Sequence, residues 1–294
     1  MFAMGVGIVY TKKNTPSDLI RRGIKIYLLG YVLNFLRSGI YALADGLISG
    51  IFQPETIEAI FGPDIFQFAG LALIFTGILK RFKFAQWLIL LIGVLFSIVG
   101  SIVSFIDTGS YFLNWLLGHF VFTRLDASCF AFFNWYIFVA FGIVFGNLLQ
   151  RIKNVDSFYK KVLIIAGSIM IVYLIAIFRF GRMFLSKDHF YYALSLFEAV
   201  GMLSIDLFLL SFFHFLLKKI GDHKFQLLLD MSYNLTSIYI IHWCILGFID
   251  SILCYLLGIK FSWLAIYLIG IALIVISSWI ATKLTKIKHI YKYS

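Results

Sequence analysis

Charge is what this sequence has least of. Only 13% of its 294 residues are Asp, Glu, Lys or Arg, while 62% are hydrophobic, and an ordinary soluble domain carries about a quarter charged residues. So few charges do not clothe a water-soluble core of this size, and hydrocarbon is the expected solvent. Proline is nearly missing, with three in the chain, which removes the commonest breaker of long helices. The three cysteines, Cys129, Cys244 and Cys254, lie in or beside apolar runs and have no CxxC spacing. They read as packing residues and not as disulfide partners or metal ligands. A GxxxxGK[ST] phosphate loop, an HExxH pair and zinc-spaced Cys/His arrays are absent, which argues against nucleotide hydrolysis and metalloproteolysis. No metal site and no bound cofactor are expected.

What the chain does have is a series of long apolar runs, at about 24–45, 61–79, 84–106, 130–150, 161–180, 190–217, 231–258 and 261–282. Each suffices to cross ~30 Å of hydrocarbon at 1.5 Å per residue. None alternates as a barrel strand does. In lipid the backbone must satisfy its own hydrogen bonds, so helices are the default. The expected fold is all-α: a polytopic transmembrane helix bundle of about eight complete spans plus a partial N-terminal helix, forming one integral membrane domain over 1–294.

The net charge of +11 resides in short basic clusters between the runs. That placement reads as a topology signal at the lipid surface and not as a nucleic-acid footprint. With alternating spans, nineteen of the 25 Lys and Arg residues fall on one side. Lys12, Lys13, Lys80, Arg81, Lys83, Arg151, Lys153, Lys160, Lys161, Lys218, Lys219 and Lys224 belong to that set. The orientation this predicts has those loops and the C-terminus in the cytoplasm, and the membrane is the cytoplasmic membrane. The opposite loops carry Asp45, Glu55, Glu58, Asp64, Asp107, Asp126 and Asp188. Tyr111–Phe122 is too short to span. Met1–Tyr10 is apolar but reaches only ~15 Å. It reads either as the inner end of a helix whose beginning is missing or as an interfacial tail.

Ionisable groups at membrane depth are costly and usually face the bundle interior. Arg37 lies twelve residues beyond Lys25. Glu198 and Asp206 fall within the run that starts at Phe190, and Glu198 is ~12 Å in from that start. His242 lies ~18 Å beyond Asp230, and Asp250 follows His242 by eight residues, about 80° around an ideal helix. Gln67, Asn34, Asn134 and Asn234 add hydrogen-bonding capacity. With Arg124, Asp126, Arg179, Arg182 and His189, these side chains either line a polar cavity open to the outside or pair as interhelical glue. His242, Glu198 and Asp206 are the candidate catalytic groups, since an imidazole or a carboxyl of shifted pKa can move a proton. A structural role for His242 is equally open. Arg37, Gln67, Asn134 and Asp250 are the candidate residues of that cavity. Gly142 and Gly146 form a GxxxG, a signal of close helix contact. The sequon Asn234-Leu-Thr236 is discounted because it lies inside a helix.

Three stretches carry a resemblance. Met1-Phe-Ala-Met-Gly-Val-Gly with Arg21-Arg22-Gly23 resembles the second-helix region of multi-pass acyltransferases. Asp64-Ile-Phe-Gln67-Phe-Ala-Gly-Leu-Ala resembles a helix of the heparan-α-glucosaminide N-acetyltransferase-like family. Ser232-Tyr-Asn234 with Tyr239-Ile-Ile-His242-Trp243 resembles a late helix shared by that family and the acyltransferase-3-like membrane proteins, and Phe132-Phe-Asn134-Trp135 also fits. The resemblance implies transfer of an acyl group, acetyl from acetyl-CoA or another acyl-CoA as co-substrate, to a sugar or glycan acceptor across the membrane. It makes Arg21, Arg22 and Lys25 contacts for the CoA phosphates, and it makes the cavity of Arg37, Gln67, Asn134 and Asp250 an acceptor pocket. It also implies that the family's first helix and its catalytic histidine would precede Met1, so a chain starting here is expected to be truncated and possesses no counterpart of that histidine. Two other readings stay open from the residues themselves: a transporter or exporter of a polysaccharide or small solute, and a non-catalytic membrane paralogue.

Overall fold

The computed structural model describes residues 1–51, 60–123, 129–181, 192–221 and 225–293. Glu55, Glu58, Arg124, Asp126, Arg182, Lys187, Asp188, His189 and Lys224 lie outside the described residues, as do the side chains of Cys254, Lys286, Lys288 and Lys292. The regular elements are helical: α1 (Phe2–Tyr10), α2 (Pro16–Asn34), a π-helical segment π1 (Phe35–Gly39), α3 (Ile40–Ser49), α4 (Ile65–Arg81), α5 (Gln86–Ile102), α6 (Tyr111–Gly118), α7 (Phe132–Arg151), α8 (Val155–Phe180), α9 (Leu196–Ile220), α10 (Gln226–Tyr233), α11 (Leu235–Phe248), a second π segment π2 (Ile249–Leu256) and α12 (Trp263–Tyr293). One isolated bridge, Ile106 to Thr123, accompanies them.

Among the described residues six helical runs are long and apolar enough to cross a membrane: Pro16–Ser49, Phe132–Arg151, Val155–Phe180, Leu196–Ile220, Leu235–Leu253 and Trp263–Thr285. The runs expected at 61–79 and 84–106 form α4 and α5, each of 17 residues and so ~26 Å long. The expected short segment Tyr111–Phe122 contains the single two-turn helix α6. Large apolar side chains stand exposed along the long helices, among them Phe178 at 95% on α8 and Trp263 at 80% on α12. Such a surface is stable only in contact with lipid tails.

The described residues divide into two compact units, Met1–Gly30 with Gly62–Leu217, and Tyr31–Phe61 with Lys218 onward. In the first, α7 is the hub. It is hydrophobic all round and buried on most of its surface, with Tyr136, Val139 and Ala140 fully enclosed, as expected of a helix surrounded by others. Between helices in lipid there is no hydrophobic driving force, so close packing and hydrogen bonds take over. Glycine supplies the close packing here. A Cβ on Gly5 of α1 would sit 2.2 Å from the Val139 carbonyl oxygen, and one on Gly142 would sit 2.3 Å from that of Phe2. The GxxxG of α7 is therefore the seat of α1. Gly23 and Gly70 bring α2 against α4 in the same manner, and Gly93 brings α5 against Ala140 and Ile137. Around α7 the rings of Phe75, Phe96, Phe132, Phe133 and Tyr136 interlock, with Phe96 stacked on Phe133 at 4.5 Å. The Tyr136 hydroxyl meets Thr76 Oγ1 at 3.0 Å.

The first unit has a basic end. Lys80 at the close of α4 donates to the Asn14 carbonyl at 3.2 Å. Gly77 packs against Pro16 and Ile20 at the start of α2, and Gly146 against Val9 at the end of α1. Phe145 near the end of α7 lies 5.6 Å from Phe158 near the start of α8. Lys12, Lys13, Arg81, Lys83, Arg151, Lys153, Lys160 and Lys161 are on the same turns and loops. In the second unit, Leu273, Ser277 and Ala281 of α12 are buried at i+4 spacing, and Thr285 extends the row by donating to Asn234 Oδ1 at 2.7 Å.

Replacing Gly142 with alanine is expected to lower the melting temperature in detergent, at a cost of about 1–3 kcal/mol for overpacking. Gly7→Ala, where a Cβ meets nothing within 4 Å, serves as the matched control. Indistinguishable melting of the two variants would remove the glycine crossing from the account.

Candidate functional site

Two of the four acceptor-pocket candidates come together. Arg37 and Asp250 line a pocket of roughly 550 Å³ in the second unit, with Ser38, Tyr41, Trp243, Leu246, Gly247 and Ser251. The pocket is built where two long helices loosen. In π1 the Ile40 amide reaches back to the Phe35 carbonyl, and at the end of π2 the Leu257 amide reaches the Ile252 carbonyl. Both are five-residue spacings. A wide turn of this kind carries one extra residue and often marks a functional position. Gly247 makes the approach possible, since a Cβ there would sit 2.0 Å from the Arg37 carbonyl oxygen.

The Arg37 guanidinium is held on two sides. Its Nη2 donates to Asn34 Oδ1 at 3.1 Å, and Asn34 Nδ2 in turn donates to the Ile60 carbonyl at 3.4 Å. Its central carbon lies 4.8 Å from the centre of the Trp243 ring, within cation–π range. The Trp243 indole nitrogen is buried with no hydrogen-bond acceptor among the described residues. The pocket lining thus combines a fixed cation, a carboxylate, two serines and two aromatic rings. These are the groups that recognise a ligand rich in hydroxyls.

His242 directly precedes Trp243 but is not among the lining residues. Its Nδ1 lies 3.2 Å from the Ile238 carbonyl oxygen. A carbonyl only accepts, so Nδ1 carries the proton and the lone pair of the neutral ring is on Nε2. The ring packs edge-on to Tyr239 at 5.2 Å. The ideal-helix angle between His242 and Asp250 does not apply, because α11 gives way to π2 at Ile249.

The other candidates have different surroundings. Glu198 lies in the first turn of α9, which begins at Leu196, and not ~12 Å into a helix that starts at Phe190. Its Oε2 accepts from the Ser195 amide at 2.9 Å and from the Ser195 hydroxyl at 3.3 Å. The Glu198 amide donates back to Ser195 Oγ at 3.3 Å. This is a Ser-x-x-Glu capping box. Gln67 completes a second one: Asp64 caps α4, and Gln67 Oε1 accepts from the Asp64 amide at 3.1 Å. Gly30 leaves room for the Gln67 side chain. Asn134 ties Nδ2 to the Leu194 carbonyl at 2.9 Å. Gln67 and Asn134 are fully buried in the first unit, where they hold backbone. Asp206 is exposed on α9. Arg21, Arg22 and Lys25 are exposed on α2, just beyond a start fixed by Thr15 and Asp18, whose side chains bond at 2.6 Å, and by Pro16 at the first helical position. Arg179 is exposed in the last turn of α8.

Ser38, Tyr41 and Ser251 escaped the sequence reading. Part of the signal was present: Tyr41 follows Arg37 by four residues and Gly247 follows Trp243 by four, the spacing of one helix face, whereas Ser251 joins them through π2. His119 also escaped it. It caps α6, is 4% exposed, and sets Nδ1 3.0 Å from the Trp115 carbonyl. Burial holds its pKa below the usual 6.5, with the Trp115 and Leu116 backbone acting in the other direction. Among the described residues no group of three His, Cys, Asp or Glu is arranged to hold a metal.

A bundle of lipid-exposed spanning helices with basic connecting loops is an integral multi-pass membrane protein. Residues 2–283 match the acyltransferase-3 family, described as an acyltransferase domain. The match covers nearly the whole chain, and the chain belongs to that family. No curated protein and no solved structure matches it significantly.

Two outcomes follow from the capping box and the buried histidine. Glu198→Gln keeps the cap and should melt like the wild type, whereas Glu198→Ala should lose about 1–2 kcal/mol; equal losses would refute the capping role. For His119 the neutral form is favoured on folding, so the unfolded chain binds more protons below its ordinary pKa of 6.5. Stability should therefore fall as the pH drops below 6.5, and His119→Gln should flatten that fall. A pH dependence unchanged by the substitution would contradict the assignment.

Proposed function

We propose that this membrane acyltransferase moves an acyl group, acetyl from a cytoplasmic acyl-CoA, onto a hydroxyl of a sugar or glycan seated in the Arg37–Asp250 pocket. The observation that supports the reading is the pocket's donor set. Arg37 and Asp250 together are neutral, so the ligand need not be charged. The hydroxyls of Ser38 and Ser251 are groups that can meet a sugar hydroxyl, and the Tyr41 and Trp243 rings give the wall an apolar face for a sugar ring. The reaction breaks the thioester C–S bond and forms a C–O ester bond. The acceptor's hydroxyl proton passes to a base and ends on the released CoA thiol.

For the base we assign His242, which does not line the pocket but directly precedes its wall residue Trp243 and would have to reach the acceptor from beside it. Its Nε2 bears the lone pair, Glu198 is engaged in its cap, and Asp206 is on another unit's exposed helix face. Arg21, Arg22 and Lys25 are assigned to the CoA phosphates, since they are exposed cations at the start of α2 and guanidinium groups suit phosphate. The orientation that goes with this reading puts the basic end and the C-terminus in the cytoplasm, with the protein in the cytoplasmic membrane.

Thiol release from acetyl-CoA, measured on the purified protein with total cell-envelope polysaccharide as acceptor, tests the reading. Arg37→Ala and Asp250→Ala should each raise the acceptor KM by about tenfold or more, the value of a charge-assisted hydrogen bond. His242→Gln should lower kcat by ~10²–10⁴ and leave KM unchanged. Arg21→Ala with Arg22→Ala should raise the acetyl-CoA KM alone. Acyl transfer that is indifferent to Arg37 and Asp250 would refute the pocket assignment, and no thiol release with any acceptor would refute the reading as a whole.

A further inference from the structure

A second cavity, in the first unit, has the opposite chemistry. It holds about 440 Å³ between α5, α7, α8 and α9, and its walls include Leu90, Ile137, Phe141, Ala166 and Leu203. The one hydroxyl on its wall, Ser204, donates to the Gly201 carbonyl at 2.6 Å. Nothing there can bind a sugar or a nucleotide phosphate. Along α9 the lining runs from Leu196 to Leu207, a length of ~16 Å, so the cavity is a slot that follows the helix axis.

The slot is continuous with the lipid-facing surface. Ile165, Ile169 and Val200 line it and are at the same time 62%, 40% and 42% exposed. They belong to α8 and α9, both helices that are long and apolar enough to span the membrane. At the basic end the slot meets charge. Val162 lines it and directly follows Lys160 and Lys161, both exposed. Lys161 precedes Ile165 by four residues, so it stands on the slot's own face of α8, one turn nearer the basic end.

From this we propose a binding site for an anionic membrane phospholipid: one acyl chain fills the slot, and the headgroup phosphate rests on Lys161 with Lys160 beside it. The apolar walls select a hydrocarbon chain, the axial shape matches a chain that runs along the bilayer normal, and the lysines select the negative headgroup. The site shares no lining residue with the Arg37–Asp250 pocket and does not depend on acyl transfer.

The test is native mass spectrometry of the protein released into mild detergent from nanodiscs of equal parts phosphatidylglycerol and phosphatidylethanolamine. The wild type should retain one phospholipid per chain, with phosphatidylglycerol preferred. Ala166→Phe fills the slot and should abolish retention. Lys161→Gln alters an exposed side chain and leaves the slot open; it should keep a lipid but lose the headgroup preference by about fivefold, the worth of one cation at the lipid surface. A wild type that carries no lipid, an Ala166→Phe variant that retains it, or a Lys161→Gln variant with unchanged preference would each overturn the proposal. So would a lipid-free wild-type dimer that Ala166→Phe converts to monomer, since a second copy would then cover the slot.

Discussion

Hydrocarbon offers a backbone no hydrogen-bond partner, and the architecture follows from that. Every N–H and C=O in the membrane must be satisfied within the chain, so the crossing segments are helices and each interruption has to be repaired locally. The repairs use much of the protein's polar inventory. Thr15 with Asp18, Asp64 with Gln67, and Ser195 with Glu198 close the starts of α2, α4 and α9. Between α10 and α11 the break is mended by Asn234, whose Nδ2 donates to the Asp230 carbonyl at 3.0 Å and whose Oδ1 accepts from Thr285. A polar residue in a chain like this is first a helix-end fitting, and only the remainder are available for chemistry.

The same solvent explains why glycine, and not leucine, sets the helix crossings. Burial against another helix gains little over burial against lipid, so stability depends on how closely two backbones come. Gly5 with Gly142, and Gly23 with Gly70, place backbone on backbone. The enclosed aromatic cluster around Phe75, Phe96 and Phe132 then fixes the rotation of α7 among its neighbours.

The fold was legible because its cause is compositional. Apolar run length located the helices, and the GxxxG of α7 named its contact before the partner α1 was known. Basic loops anticipated the clustering of Lys80, Arg151 and Lys160 at one end of the first unit. The candidate site was legible only in part. Arg37 and Asp250 were drawn together by a single argument, the cost of charge at membrane depth, and they do share a pocket. Gln67 and Asn134, named for their hydrogen-bonding capacity, hold backbone in the first unit instead of lining this pocket, because depth does not distinguish a ligand-facing amide from one that holds backbone. For Glu198 and Gln67 the sequence did contain the distinction, as Ser-x-x-Glu and Asp-x-x-Gln just ahead of apolar runs. The π segments had no such trace: Phe35–Gly39 and Ile249–Leu256 contain no proline, and only tertiary packing, as at Gly247, reveals the wide turns.

Those wide turns tie the pocket to arithmetic as well as to residue identity. A π turn holds one residue more than the α turn it replaces, so each segment shifts the angular phase of everything after it by about 100°. Loss of a single residue from π1 or π2 would let the helix relax to its usual winding: side chains beyond the segment would keep their face, while those within it, Arg37 and Asp250 included, would turn relative to both flanks. Between Asn34 and Tyr41, and between Trp243 and Ser251, chain length is therefore under as much constraint as side-chain type, and length polymorphism there would separate arginine from carboxylate without changing either.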